Sequence, residues 1–278
     1  MLALNNSTRL SLDKLLVEYH IFSFEQPIMI TFSPAGYVLS QSEVIKGRSA
    51  WAFEFFKKMQ INIIAFSAVE DAHWFLNASS QVHIAELSRH LKIFPERLGY
   101  GASMGAYAAS HYAEQLHLDR LLLITPKVTP KRIDTKYDFN YCNSFDGEIT
   151  LIYDPFCSAD KECALNYPSK TNYLKFYGVG HQVIESISHI GYLKALVVNF
   201  ISDKINTEEF AKQSRKRKEL ERYYSYLQRN PTKKNSTKRK RIVSYYFILW
   251  SLQNLDKVFQ KHRVKIKKTL RRKTKLFR

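Results

Sequence analysis

The segment Gly101-Ala102-Ser103-Met104-Gly105 sets a serine between glycines two residues to either side, and with Gly99 it gathers three of the chain's nine glycines into seven residues. Glycine packs nothing and costs backbone entropy, so such a cluster marks a tight turn or a close approach. G-x-S-x-G is the pattern of a nucleophile elbow, a sharp strand-to-helix turn that holds a serine hydroxyl out at the carboxyl edge of a sheet. A Cβ at either glycine would collide with the neighbouring strand or helix. The helix that follows aims its first N–H groups and the positive end of its dipole at the serine, which makes the Met104 N–H a candidate oxyanion donor. Taken alone, the pattern also describes a serine capping a helix after a glycine turn. The three glycines further read G-x-G-x-x-x-G, near a dinucleotide loop. That reading needs an acid about 20 residues on, and the next apolar run ends LLLITPK without one.

Serine is a weak nucleophile until an imidazole takes its proton, and the imidazole needs a carboxylate to fix its tautomer. In an elbow arrangement the chain order is serine, acid, histidine, each after a successive strand. His181 follows the last apolar run directly behind Gly178 and Gly180, a setting that no other histidine of the chain shares. ITLIYDPFCSAD offers two acids: Asp154, straight off a strand and before Pro155, and Asp160, six residues on at a helix start. The usual place for the acid, on a turn a few residues past the strand, favours Asp160 slightly, although aspartate is also a common helix cap. A second oxyanion donor is expected in the loop after the first core strand, Phe32-Ser33-Pro34-Ala35-Gly36. Proline has no N–H, so the choice lies between the backbone of Ser33 and that of Ala35.

Three loops can meet only if a scaffold brings them to one edge. Short apolar, β-branched or aromatic runs at 27–32, 61–66, 97–101, 120–125, 149–153 and 172–177 read as strands. Stretches with helical periodicity lie between them at 47–58, 81–92, 104–116, 159–167 and 182–201. This alternation calls for parallel strands joined by crossover helices, and strands that are almost wholly apolar fit a sheet covered on both faces. AHWFLNASS then places His73, Trp74 and Asn77 after the second of these strands, near the edge where substrates bind.

With TFSPAG, GASMG, YDPFCSAD and GVGH each at the end of the expected strand, residues 25–202 resemble an α/β-hydrolase fold reduced to its core. Together with AHWF, YGASMGAYAA and YDP…D, the chain is similar to small bacterial serine hydrolases associated with surface-polysaccharide loci. The resemblance implies a Ser103–Asp–His181 triad acting on an acyl ester of a small molecule, glycan or lipid, with no cofactor and no metal. The alternative, ranked second, is a non-catalytic accessory protein of the same fold in surface-polysaccharide assembly that docks through its basic tail. Two departures stand out. Gly105-Ala106 replaces the Gly-Gly common after the elbow serine, and no long insertion lies between 126 and 148 where a lid would sit. Substrate binding is therefore expected to be shallow or completed by a partner.

Charge divides the chain. From Lys204 to Arg278 there are 25 Lys/Arg and five acids, a net of +20, which leaves residues 1–203 at −2. The expected organisation is a hydrolase-like domain at 1–203 and a basic, largely helical extension at 204–278, with helices near 207–228 and 242–262. The extension carries RKRK, KKNSTKRKR and KIKKTLRRKTK, and its tyrosines and Trp250 tilt the expected partner for 205–278 towards an anionic membrane surface ahead of nucleic acid. The start MLALNNSTRLSLDK lacks an apolar run behind a basic patch, and no run reaches the roughly 18 apolar residues of a membrane span. Cys142, Cys157 and Cys163, too few for a disulfide framework and unspecific in spacing for a metal, read as buried thiols in a reducing compartment. The expected location is cytoplasmic, with peripheral placement at the inner membrane surface. No Walker loop, H-E-x-x-H or C-x-x-C is present. Composition leaves the oligomeric state open.

Overall fold

The structure, a computed structural model, describes residues 2–127, 145–230, 237–256 and 259. The chain forms two compact units, Met1–Arg215 and Lys216–Arg278.

The first unit is built on one eight-stranded sheet with strands β1 (Ser7–Ser11), β2 (Leu15–His20), β3 (Ile28–Phe32), β4 (Asn62–Ala68), β5 (Arg97–Ala102), β6 (Arg120–Ile124), β7 (Glu148–Tyr153) and β8 (Asn172–Lys175). Their order across the sheet is β1-β2-β4-β3-β5-β6-β7-β8. From β4 to β8 every neighbouring pair is parallel, while β1–β2 and β2–β4 are antiparallel. The parallel strands need crossovers, and these carry helices α1 (Gln41–Ile45), α2 (Phe53–Lys58), α3 (Ala78–Ser88), α4 (Met104–His111) and α5 (Ser158–Leu165). Helices α6 (Val183–His189), α7 (Leu193–Ile201) and α8 (Thr207–Ser214) follow β8.

Both faces of the sheet are covered, which is why β3, β4 and β6 are apolar almost throughout and buried at every position. On one face Phe32 stacks on Phe66 at 4.9 Å between ring centroids and meets Phe75 edge-on at 5.2 Å. On the other, Tyr100 stacks on Trp51 at 5.0 Å and touches Phe56 of α2.

The two antiparallel strands at one end of the sheet, β1 and β2, were not anticipated. Glu18 and His20 interrupt the apolar run of β2, yet both are buried. Their polar groups are satisfied by β1 and by the segment before α2: Arg9 binds Glu18 at 2.5 Å, the Ala50 N–H donates to the other Glu18 oxygen at 2.5 Å, and Ser7 Oγ bonds His20 Nδ1 at 2.8 Å. A buried charge is tolerable when it is paired in this way. Three expected helices are broken. The span 47–58 becomes α2 alone, preceded by Ala52 at φ 67°. The span 182–201 divides into α6 and α7 around Gly191, whose φ is +74°. The span 207–228 contains α8, a 3-10 segment and then α9 (Glu221–Arg229). The packing boundary at 215 also falls later than the charge boundary at 204, because Phe210 of α8 is buried against Phe176 and Tyr192.

The second unit pairs α9 with α10 (Thr237–Gln253) through Tyr224, which contacts Phe247 and Trp250, while the Trp250 indole donates to the Glu219 carbonyl at 2.9 Å.

Glycine at 101 and 105 is a packing requirement. A Cβ on Gly101 would lie 2.3 Å from the Gly105 carbonyl oxygen, and one on Gly105 would lie 2.0 Å from the Phe32 carbonyl oxygen at the end of β3. Both obstacles are backbone, so neither can swing aside. Gly105→Ala is expected to lower stability by about 3 kcal/mol, the upper part of the overpacking range, read as a shifted denaturation midpoint.

Candidate active site

Ser103 sits between β5 and α4 with φ 53° and ψ −117°, a conformation a side-chain-bearing residue adopts only when its surroundings impose it. Those surroundings are explicit: its N–H donates to Ile124 of β6 at 2.9 Å, and its carbonyl accepts from Tyr107 at 3.1 Å and Lys127 at 3.2 Å. The hydroxyl is thereby aimed at His181, with Oγ 2.8 Å from Nε2.

His181 ends the loop that leaves β8 through Gly178 (φ +82°) and Gly180 (φ +62°). Its Nδ1 lies 2.7 Å from Oδ1 of Asp160, which is buried in the first turn of α5. An ionised carboxylate only accepts hydrogen bonds. The contact therefore places the imidazole proton on Nδ1 and leaves Nε2 to accept from the serine hydroxyl. The second Asp160 oxygen is buried without a hydrogen-bond partner among the described residues, and the Cys157 thiol, pushed up in pKa chiefly by burial, lies beside this carboxylate.

Of the two aspartates, the structure brings only Asp160 to the imidazole. Asp154 is fully buried and holds the loop instead: Oδ2 accepts from the Val179 and Gly180 N–H groups at 2.7 and 2.6 Å, and Oδ1 accepts from Phe156 at 2.9 Å. Burial pushes its pKa up and the N–H donors pull it back.

Of the two backbone candidates after β3, Ser33 is engaged elsewhere. Its N–H donates to Phe66 at 2.9 Å and its hydroxyl accepts from Ala68 N–H at 3.1 Å, extending the β3–β4 pairing one residue further. Ala35 opens a short 3-10 turn after Pro34, and Met104 opens α4. Among the described residues neither N–H has a backbone acceptor, as first-turn N–H groups do not.

Ser103 and His181 open into a cavity of about 770 Å³ with Ala35 and Thr125 at its floor or walls. Trp51, Phe55, Tyr100, Leu193 and Val197 make it largely apolar. Helices α2, α6 and α7 supply much of its wall. The segment 128–144, most of the stretch weighed for a lid, lies outside the described residues, as does Cys142.

Trp74 lines the cavity, with its indole donating to the Lys127 carbonyl at 3.0 Å. His73 and Asn77 do not: His73 bonds the Lys14 carbonyl and the Phe75 N–H, and Asn77 caps α3 by accepting from Ser80. Sequence reasoning missed Trp51, Tyr100 and Thr125. The signal for Thr125 was its place before Pro126 at the carboxyl end of β6, where its φ is 44°. Among the described residues no group of three or more His, Cys, Asp or Glu is arranged to hold a metal.

This strand order, with a strained serine after β5, an aspartate after β7 and a histidine after β8, is the α/β-hydrolase architecture. No protein-family model and no curated protein matches the chain. Among solved structures it is similar to Est1E from Butyrivibrio proteoclasticus, with TM-score 0.46 and 11% identity over 70% of this chain and 99% of that one. It is also similar to the capsule O-acetyltransferase of Neisseria meningitidis serogroup A, with TM-score 0.45 and 14% identity over 69% and 94%. A lidless α/β serine hydrolase from Xanthomonas campestris gives TM-score 0.45 and 16% identity over 72% and 97%.

Proposed function

We propose that this protein is a serine hydrolase that cleaves an acyl ester. One observation carries the reading: Ser103, His181 and Asp160 form a continuous hydrogen-bonded chain, 2.8 Å then 2.7 Å, from a strained elbow serine to a buried carboxylate. In this reading Ser103 Oγ attacks the acyl carbon while His181 Nε2 takes its proton, and Asp160 holds the Nδ1 proton in place and stabilises the imidazolium that forms. The carbonyl oxygen, now an oxyanion, is received by the N–H groups of Met104 and Ala35, which reach it without reorganising. His181 then returns its proton to the leaving alcohol. Water, activated by the same imidazole, releases the acyl group from Ser103. The apolar walls of Trp51, Phe55, Leu193 and Val197 receive the acyl part of the substrate.

A fluorophosphonate probe tests this directly, because it phosphonylates only a serine whose proton is taken by a base. Stoichiometric labelling of the intact protein is expected, with the adduct on the peptide containing Ser103 by mass spectrometry. A folded protein that stays unlabelled would favour the accessory reading, in which the same fold binds without turnover.

A further inference from the structure

Helix α10 is apolar on two opposite sides, and within the second unit, among the described residues, one of them packs on α9. Phe247 and Trp250 face α9 and pack on Tyr224. At 100° per residue, Tyr245, Ile248 and Leu252 fall half a turn away from that packed face. Leu255 and Phe259 follow at the same sequence spacing beyond the end of α10 at Gln253, and all five are between 48 and 64% exposed. A single exposed leucine needs no explanation, but a stripe of five at helical spacing does. The stripe begins at Tyr245, four residues after the run Lys238, Arg239, Lys240 and Arg241, and residues 216–278 carry 22 Lys/Arg against three acids.

We infer that α10 docks flat on an anionic lipid surface, with the stripe sunk into the headgroup–acyl boundary and the flanking cations on lipid phosphates. Charge decides among the possible occupants. A second copy of this chain would bring two sets of 19 net positive charges together along the stripe. Nucleic acid would satisfy the cations but offers no apolar medium for Ile248, Leu252 and Leu255. An anionic bilayer surface supplies both at once. No helix among the described residues is long and apolar enough to cross a membrane, so the helix lies in the surface and does not span it. The inference does not depend on the catalytic reading.

The test is co-sedimentation of the intact protein with vesicles at physiological salt. Binding to equimolar phosphatidylcholine and phosphatidylglycerol is expected, with little to phosphatidylcholine alone. The double variant Ile248→Ser/Leu252→Ser removes only exposed side chains and is checked for unchanged helicity by circular dichroism. It should weaken vesicle binding by about tenfold or more. Unchanged binding by this variant would overturn the inference by showing that the cations act alone. So would absent vesicle binding by the parent protein, whether it instead sediments as a dimer that the variant dissociates or is retained only by DNA.

Discussion

Replacing Ser103 with alanine is expected to lower kcat/KM on an acyl ester by about 10⁴- to 10⁶-fold, the range seen when a triad nucleophile is removed. At about 1.36 kcal/mol per tenfold, this withdraws about 5–8 kcal/mol of transition-state stabilisation. The loss falls on kcat, because the apolar cavity and the two N–H donors remain and ground-state binding is little changed. Folding stability should change little, since alanine keeps the Cβ and the backbone conformation of the turn and gives up only one part-buried hydrogen bond. The measurement is a pair of steady-state kinetic curves beside a pair of denaturation curves. Turnover by Ser103→Ala within tenfold of the parent protein would remove Ser103 from the mechanism.

The second large effect separates the two aspartates. Asp160→Asn is expected to reduce kcat by about 10⁴-fold with a nearly unchanged melting temperature. The amide can present N–H to Nδ1, which favours the tautomer whose Nε2 already carries a proton and cannot accept one from Ser103. Asp154→Asn should act on stability instead. Its carboxylate accepts three N–H groups in a fully buried setting. An amide nitrogen facing those donors leaves at least one unsatisfied, at a cost of about 2–3 kcal/mol. Kinetics and melting curves on both variants give a crossed pattern. An uncrossed result, with Asp154→Asn the more damaging to kcat at equal stability, would reverse the assignment.

Most of the parallel sheet was legible because strands buried on both faces can afford few polar residues, and β3, β4 and β6 announce themselves as apolar runs. Strand β2 was not, because Glu18 and His20 are matched by Arg9 and Ser7 on β1, a pairing that no local window contains. Ser103 and His181 were legible from glycine placement, since the elbow and the loop after β8 each need backbone conformations or clearances that side chains deny. Asp160 and Asp154 were both visible and could not be ranked securely, for the deciding fact is where the N–H groups of Val179 and Gly180 go. Ser33 and Ala35 posed the same kind of question. The register of β3 against β4 uses the Ser33 N–H, and register is a property of the assembled sheet. The cavity's walls were not legible, because they come from α2 and from the two helices that Gly191 divides, segments far apart in the sequence.

The clasp formed by Asp154 has a mechanical corollary. It rivets the histidine's loop to the end of β7, and the same stretch of chain runs on into the turn of α5 that bears Asp160. Imidazole and carboxylate thus ride on one chassis, whereas the hydroxyl is mounted on another, the β5–α4 junction. The His181 ring and the Asp160 carboxyl group are therefore held to each other by shared backbone as well as by their own hydrogen bond. The two mountings are joined, at the reacting atoms, by the hydrogen bond from Ser103 Oγ to His181 Nε2.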